Sequence, residues 1–111
     1  MRISDRVTFR KLVRDKIPEL IEKAGKKPSF ERLTKKDRWD ALNSKLNEEI
    51  DELQTAQEPE SVLEEIADIH EVLMAMVYEI GYIDADLFLK AKQKKREKGA
   101  FDEFIWLESV E

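Results

Sequence analysis

The chain has 111 residues, of which 41% are charged and 41% are hydrophobic, and its formal net charge is −5. This length predicts a single domain over residues 1–111, and the apolar content excludes a disordered chain. The absence of cysteine excludes disulfides, zinc–thiolate sites and thiol catalysis. No apolar run is long enough for a membrane span, and residues 1–10 lack the apolar core of a secretory signal. We therefore expect a soluble cytoplasmic protein with no membrane partner.

Charge is distributed unevenly along the chain. The net charge is +7 over residues 1–47, −13 over residues 48–89 and +1 over residues 90–111. Because the acidic middle contains no lysine or arginine, its carboxylates must be solvated, paired with the basic ends or bound to a cation. The negative net charge also disfavours nucleic acid as a partner.

Apolar spacing, together with the positions of proline and glycine, predicts four helices. In chain order they cover residues 15–24, 34–56, 61–80 and 84–98. After the last helix, residues 101–110 suit a short strand that could pair with the extended residues 30–33. The predicted fold is therefore a mainly α helical bundle with a small two-stranded addition.

The third predicted helix carries apolar side chains around most of its circumference. Its core stripe consists of Val62, Ile66, Ile69, Leu73, Met76, Val77 and Ile80. Further apolar residues widen this surface, among them Leu63, Val72 and Met74. Because one neighbouring helix covers only one side, we expect two hairpins to pack together as a four-helix core in a homo-oligomer.

Two pairs of carboxylates flank the turn between the second and third predicted helices. Glu49 and Glu52 lie three residues apart, as do Glu65 and Asp68, so each pair shares one helix face. The two pairs are also equidistant from the turn, which places them level with each other in an antiparallel hairpin. Four converging carboxylates repel unless something neutralises them, and oxygen-only ligands suit Mg²⁺ or Mn²⁺. A solvated acidic face is the alternative interpretation.

Basic residues near both ends of the chain are candidates for phosphate binding. Lys90, Lys94 and Lys98 recur every four residues and form one row on the last helix. Arg14 and Lys16 lie at the start of the first helix, where free backbone N–H groups favour anions. Solubility and pairing with the acidic middle are the alternative roles.

At these residues the chain resembles a known family. Glu48-Glu49-x-x-Glu52 followed by Glu65-x-x-Asp68 is similar to the signature of the all-α nucleoside triphosphate pyrophosphatases, the MazG-like proteins. Lys11–Pro18, Gly25–Pro28 and the tail resemble the phosphoribosyl-ATP pyrophosphohydrolase-like branch of that superfamily. The similarity covers nearly the whole chain.

The resemblance implies Mg²⁺-dependent hydrolysis of a nucleoside triphosphate between its α- and β-phosphates, in a dimer or tetramer that clears unwanted nucleotides. The metal ligands that it implies are Glu49, Glu52, Glu65 and Asp68. Glu48 or Glu49 would act as general base, and the basic residues would hold the phosphates. The alternative function is a non-catalytic oligomeric helical module that binds nucleotide or a partner helix.

Overall fold

The computed structural model describes residues 10–111 and contains four α-helices. These are α1 (Ile17–Lys23), α2 (Lys35–Thr55), α3 (Pro59–Glu79) and α4 (Asp84–Lys98). The prediction of a mainly α fold is confirmed. Within residues 10–111 there is no strand, and residues 26–34 and 104–111 have no regular secondary structure. Pairing of these two segments therefore stays a prediction.

The ends of the helices follow from the local sequence. Pro18 lies in the first turn of α1, and Gly25 follows the helix with a φ of +84°, which glycine adopts without a Cβ clash. α3 begins at Pro59, earlier than the predicted residue 61, because the fixed φ and missing N–H of proline suit the first helical position. At the start of α4, Asp86 accepts a hydrogen bond of 3.0 Å from the backbone N–H of Ile83.

α2 and α3 form an antiparallel hairpin that holds most of the contacts between helices. Leu42 and Val72 are buried in it, and α3 also directs half-buried Val62, Ile69 and Met76 inward. Three other members of the predicted core stripe of α3 are exposed in the single chain, namely Ile66, Leu73 and Ile80. The reason is geometric, because α2 covers only one side of α3.

α4 and the residues that follow it extend away from the hairpin. Among the described helices, α4 contacts only α3, and all of residues 84–111 are exposed. The chain is correspondingly elongated, with extents of 67 × 35 × 27 Å. A membrane-spanning helix, long and apolar enough to cross the bilayer, is not found within residues 10–111.

Candidate metal centre

The carboxylates that were predicted to converge lie on facing sides of the α2–α3 hairpin. Glu49, Glu65 and Asp68 each place one carboxylate oxygen within 4.8 Å of the others. Glu65 and Asp68 share a face of α3 because they are three residues apart, and the antiparallel arrangement puts Glu49 opposite them. Glu52, the fourth predicted ligand, is exposed, and its carboxyl group interacts with those of Glu49 and Glu65. We refer to these four residues as the carboxylate cluster.

Two carboxylate oxygens of the cluster are buried without a partner. Glu49 is only 5% exposed, and its Oε1 lies 3.1 Å from the Nζ of Lys45. In contrast, Oε2 of Glu49 and Oε2 of Glu65 are buried and have no hydrogen-bond partner among the described residues. An unsatisfied buried polar atom costs about 1–3 kcal/mol, and more when it is charged. A cation between the two helices would remove this cost.

Burial and mutual repulsion shift the pKa values of carboxyl groups in the cluster. Burial raises the pKa of Glu65 to about 7, and its interactions with the carboxyl groups of Glu49 and Glu52 act in the same direction. Burial also acts to raise the pKa of Glu49, but the hydrogen bond and charge of Lys45 and the interactions with Glu65 and Glu52 together outweigh it, so the pKa is lowered. Near neutral pH, Glu65 is therefore partly protonated beside an ionised Glu49. A divalent cation would compete with that proton.

The dimensions of the cluster suit a small hard cation. Mg²⁺ binds oxygen ligands at about 2.1 Å, so ligands on opposite sides of one ion lie about 4.2 Å apart. Oxygens that already lie within 4.8 Å of one another need only small side-chain movements to surround a single ion. The donor set consists of carboxylates alone, which fits Mg²⁺ or Mn²⁺ rather than zinc or copper.

Cationic side chains contact the cluster and the neighbouring Glu48. Arg14 donates from Nη2 to Oδ1 of Asp68 at 2.8 Å. The Nζ atoms of Lys11 and Lys45 lie 3.5 and 3.4 Å from Oε1 of Glu48. The segment that precedes α1 therefore contacts both helices of the hairpin. Through it, positive charge from the N-terminal half lies next to the acidic middle of the chain.

Two of these cations were not among the predicted site residues. Lys45 lies four residues before Glu49 on α2, and this spacing along one helix face could have indicated that the two side chains pair. Lys11 belongs to the N-terminal segment that carries the family resemblance, but nothing in its spacing indicates that it reaches Glu48. That contact depends on how the segment crosses the hairpin.

The other predicted phosphate-binding residues lie apart from the cluster. Lys16 is exposed directly before α1, a helix of 7 residues. Lys90, Lys94 and Lys98 are exposed on α4, which leaves the hairpin at the end opposite the α2–α3 turn. Within residues 10–111, the cluster forms ion pairs with Arg14 and Lys45, the neighbouring Glu48 pairs with Lys11 and Lys45, and this row takes part in none of these pairs. A single chain therefore does not bring the row to the carboxylates.

Comparisons with known proteins do not identify a family. No protein-family model matches the chain, and no solved structure matches it. An uncharacterized protein of Mycolicibacterium smegmatis is 45% identical over 53 residues, which make up 48% of this chain and 54% of that relative. The chain thus spans about half the length of this relative. The resemblance to nucleoside triphosphate pyrophosphatases remains a prediction.

Proposed function

We propose that this protein is a Mg²⁺-dependent nucleoside triphosphate pyrophosphohydrolase that removes non-standard or excess nucleotides. It would cleave between the α- and β-phosphates to give a nucleoside monophosphate and pyrophosphate. The observation that carries the proposal is the pair of buried, unpartnered oxygens on Glu49 and Glu65, with cationic side chains next to them. Such a combination suits a polyphosphate substrate that arrives with a divalent cation.

The carboxylate cluster would hold the cation. Glu49, Glu65 and Asp68 would bind Mg²⁺ or Mn²⁺ between the helices, and Glu52 would add a ligand from the exposed edge. When bound, the cation supplies positive charge that offsets the charge of the phosphates and acidifies water. The hairpin contributes rigidity, since ligands on two packed helices keep their mutual positions while the substrate exchanges.

The remaining polar residues would bind phosphate and handle the proton. Arg14 uses only part of its five N–H donors on Asp68, and about half of its side-chain surface is exposed, at 54%. It can therefore also donate to a phosphate oxygen, as can Lys11. Glu48 is held beside the cluster by Lys11 and Lys45. Glu48 or Glu49 would orient the water that attacks the α-phosphorus and accept its proton.

The proposed enzyme is a homo-oligomer, either a dimer or a tetramer. Leu63, Ile66 and Ile80 on α3 are each about half exposed or more, at 65%, 49% and 58%. A second hairpin would cover this apolar surface. It would also allow the lysine row of α4 in one chain to approach the carboxylate cluster of another. The substrate would then be bound by residues of two chains.

Pyrophosphate release from a panel of nucleoside triphosphates tests the proposed activity. We expect release with Mg²⁺ or Mn²⁺ and none with EDTA. Glu52→Gln and Asp68→Asn should each lower turnover by at least about 100-fold, since even residues that only orient metal ligands are worth about 10–100-fold. Glu64→Gln, an exposed neighbour on α3, is the matched control and should keep normal turnover.

Three results would contradict the proposal. One is the absence of release from every nucleotide at millimolar Mg²⁺ and Mn²⁺. Another is full activity of Glu52→Gln or Asp68→Asn with unchanged metal dependence. The third, nucleotide binding without hydrolysis, would favour the non-catalytic helical module instead.

A further inference from the structure

The residues after α4 form an apolar segment that has no packing partner within the described chain. We call residues 100–111 the C-terminal arm. Its large side chains are almost fully exposed, with Phe101 at 89%, Phe104 at 88% and Trp106 at 86%. Ile105, Leu107 and Val110 are also at least three-quarters exposed, at 75–84%. Monomeric proteins in water rarely leave such a continuous apolar surface uncovered, so the arm requires a partner.

The charge of the arm limits what that partner can be. Asp102, Glu103, Glu108 and Glu111 give the arm a net charge of −4, with no basic residue. This charge disfavours a nucleic acid or an anionic membrane surface as the partner. It also disfavours the acidic α2–α3 hairpin. The surface that receives the arm must therefore be basic as well as partly apolar.

One segment of the same sequence has these properties. We call residues 26–36, which connect α1 to the first turn of α2, the basic linker. It carries Lys26, Lys27, Arg32, Lys35 and Lys36 against a single acidic residue, for a net charge of +4. Phe30 in its centre is 57% exposed, and nearby Trp39 at the start of α2 is 40% exposed. The linker thus complements the arm in both charge and apolar surface.

The backbone of the two segments is also suited to pairing. Residues 27–34 of the basic linker donate no backbone hydrogen bond to any acceptor within residues 10–111. The backbone of the arm forms a hydrogen bond in a short turn, where the N–H of Phe104 donates to the carbonyl of Phe101 at 3.3 Å. Residues 104–110 and residues 26–34 have no regular secondary structure and similar lengths. Pairing of the two segments would satisfy both backbones.

α4 carries the arm away from the end of the hairpin at which the basic linker enters α2. α2 begins and α3 ends at the same end of the hairpin, where Arg38 lies 3.9 Å from Glu79. α4 starts there too, and its 15 residues carry the arm about 22 Å away. A two-fold symmetric pair would place the arm of each chain against the linker of the other. Exchange of an identical element is a common route to dimers.

We propose that the C-terminal arm of one chain docks on the basic linker of a second copy, and that the exchange is reciprocal. The acidic side chains of the arm pair with the lysine and arginine side chains of the linker. Phe104, Ile105 and Trp106 cover Phe30 and Trp39 of the other chain. This exchange does not depend on the metal centre or on the proposed hydrolase activity, and it differs from the contact that we propose for α3.

Crosslinking between chains tests the exchange directly, because the natural chain has no cysteine. A Ser29→Cys chain and a separately tagged Ser109→Cys chain would be refolded together and treated with a short bismaleimide. We expect a crosslinked product that contains one chain of each kind. Ser61→Cys, at the turn end of the hairpin, replaces Ser29→Cys in the control and should give little product.

A charge-reversal pair provides a second readout in the full-length protein. Arg32→Glu should weaken association by at least about tenfold, and Glu108→Arg in the same chain should restore most of it. Lys92→Glu, an equivalent reversal on α4, is the control, and circular dichroism verifies that each variant is helical. Absence of a product that contains one chain of each kind, equal crosslinking from position 61, or unchanged association of Arg32→Glu would overturn the proposal.

Discussion

Glu49 is the most buried acidic residue of the hairpin. Its carboxylate is almost fully buried, yet only Oε1 has a cationic partner, Lys45, which also lies near Glu48. Burial acts to lower the pKa of Lys45, but the neighbouring carboxylates raise it, so Lys45 remains charged in this position. One ammonium group therefore serves two carboxylates, and Oε2 of Glu49 remains available to a cation.

Replacement of Lys45 by methionine should show how much of the hairpin depends on this pair. We expect Lys45→Met to lower the free energy of unfolding by about 1–3 kcal/mol in EDTA, because it leaves Glu49 buried without a counter-charge. Mg²⁺ should recover part of the loss, since the cation then compensates the carboxylates. Denaturant unfolding with and without metal measures both effects.

Lys23→Met is the matched control for Lys45→Met. Lys23 also pairs with a glutamate four residues away, but both side chains are mostly exposed. Its replacement should change the free energy of unfolding by less than about 0.5 kcal/mol. Equal effects of the two substitutions would show that burial of the Lys45–Glu49 pair adds nothing to its contribution to the free energy of unfolding.

α3 differs from the other helices in presenting two adjacent apolar stripes. One stripe, which contains Val72, faces α2, while the stripe that contains Ile66, Leu73 and Ile80 faces away from it. The members of the exposed stripe recur every seven residues, or about two helical turns, which is the spacing of helices that pack side by side. This pattern supports the proposed association of two hairpins.

Leu73→Glu tests that association at the centre of the exposed stripe. A carboxylate buried between hairpins without a partner is unfavourable by several kcal/mol, so association should weaken at least about tenfold. Glu71→Lys, a charge change at an exposed polar position of α3, should leave the oligomer intact. Light scattering measures the mass of the particles and so distinguishes the oligomer from the single chain. A Leu73→Glu protein that keeps the wild-type mass would place the interface elsewhere.

The sequence predicts the four helices well, but it predicts less well which surfaces of those helices are buried. Apolar periodicity and the proline and glycine positions predicted all four helices, because those signals are local. The mirrored spacing of Glu49, Glu52, Glu65 and Asp68 predicted their approach, since a short turn leaves few arrangements open. The exposure of Ile66 and Leu73 could not be read from periodicity, because it depends on how much of α3 one neighbour covers. The Lys11–Glu48 contact likewise depends on how the segment before α1 crosses the hairpin.

In the folded chain, basic residues of the N-terminal half lie against the acidic middle and partly neutralise its charge. Lys11, Arg14, Arg38 and Lys45 of the basic half each lie against a carboxylate of the acidic middle. The lysine row of α4 stays exposed at the other end of an elongated chain. The proposed assembly would bring these lysines near carboxylates of another chain, and the proposed metal centre would neutralise the unpartnered Oε2 atoms of Glu49 and Glu65.

Mn²⁺ binding, followed by electron paramagnetic resonance, tests the metal centre most directly. We expect saturable Mn²⁺ binding that Mg²⁺ displaces, and binding at least about tenfold weaker in Glu49→Gln and Glu65→Gln. Glu64→Gln should bind as the wild type does. Mn²⁺ that stays free at millimolar concentration, with and without nucleotide, or binding that is undiminished in Glu49→Gln, would contradict a metal centre in the α2–α3 hairpin.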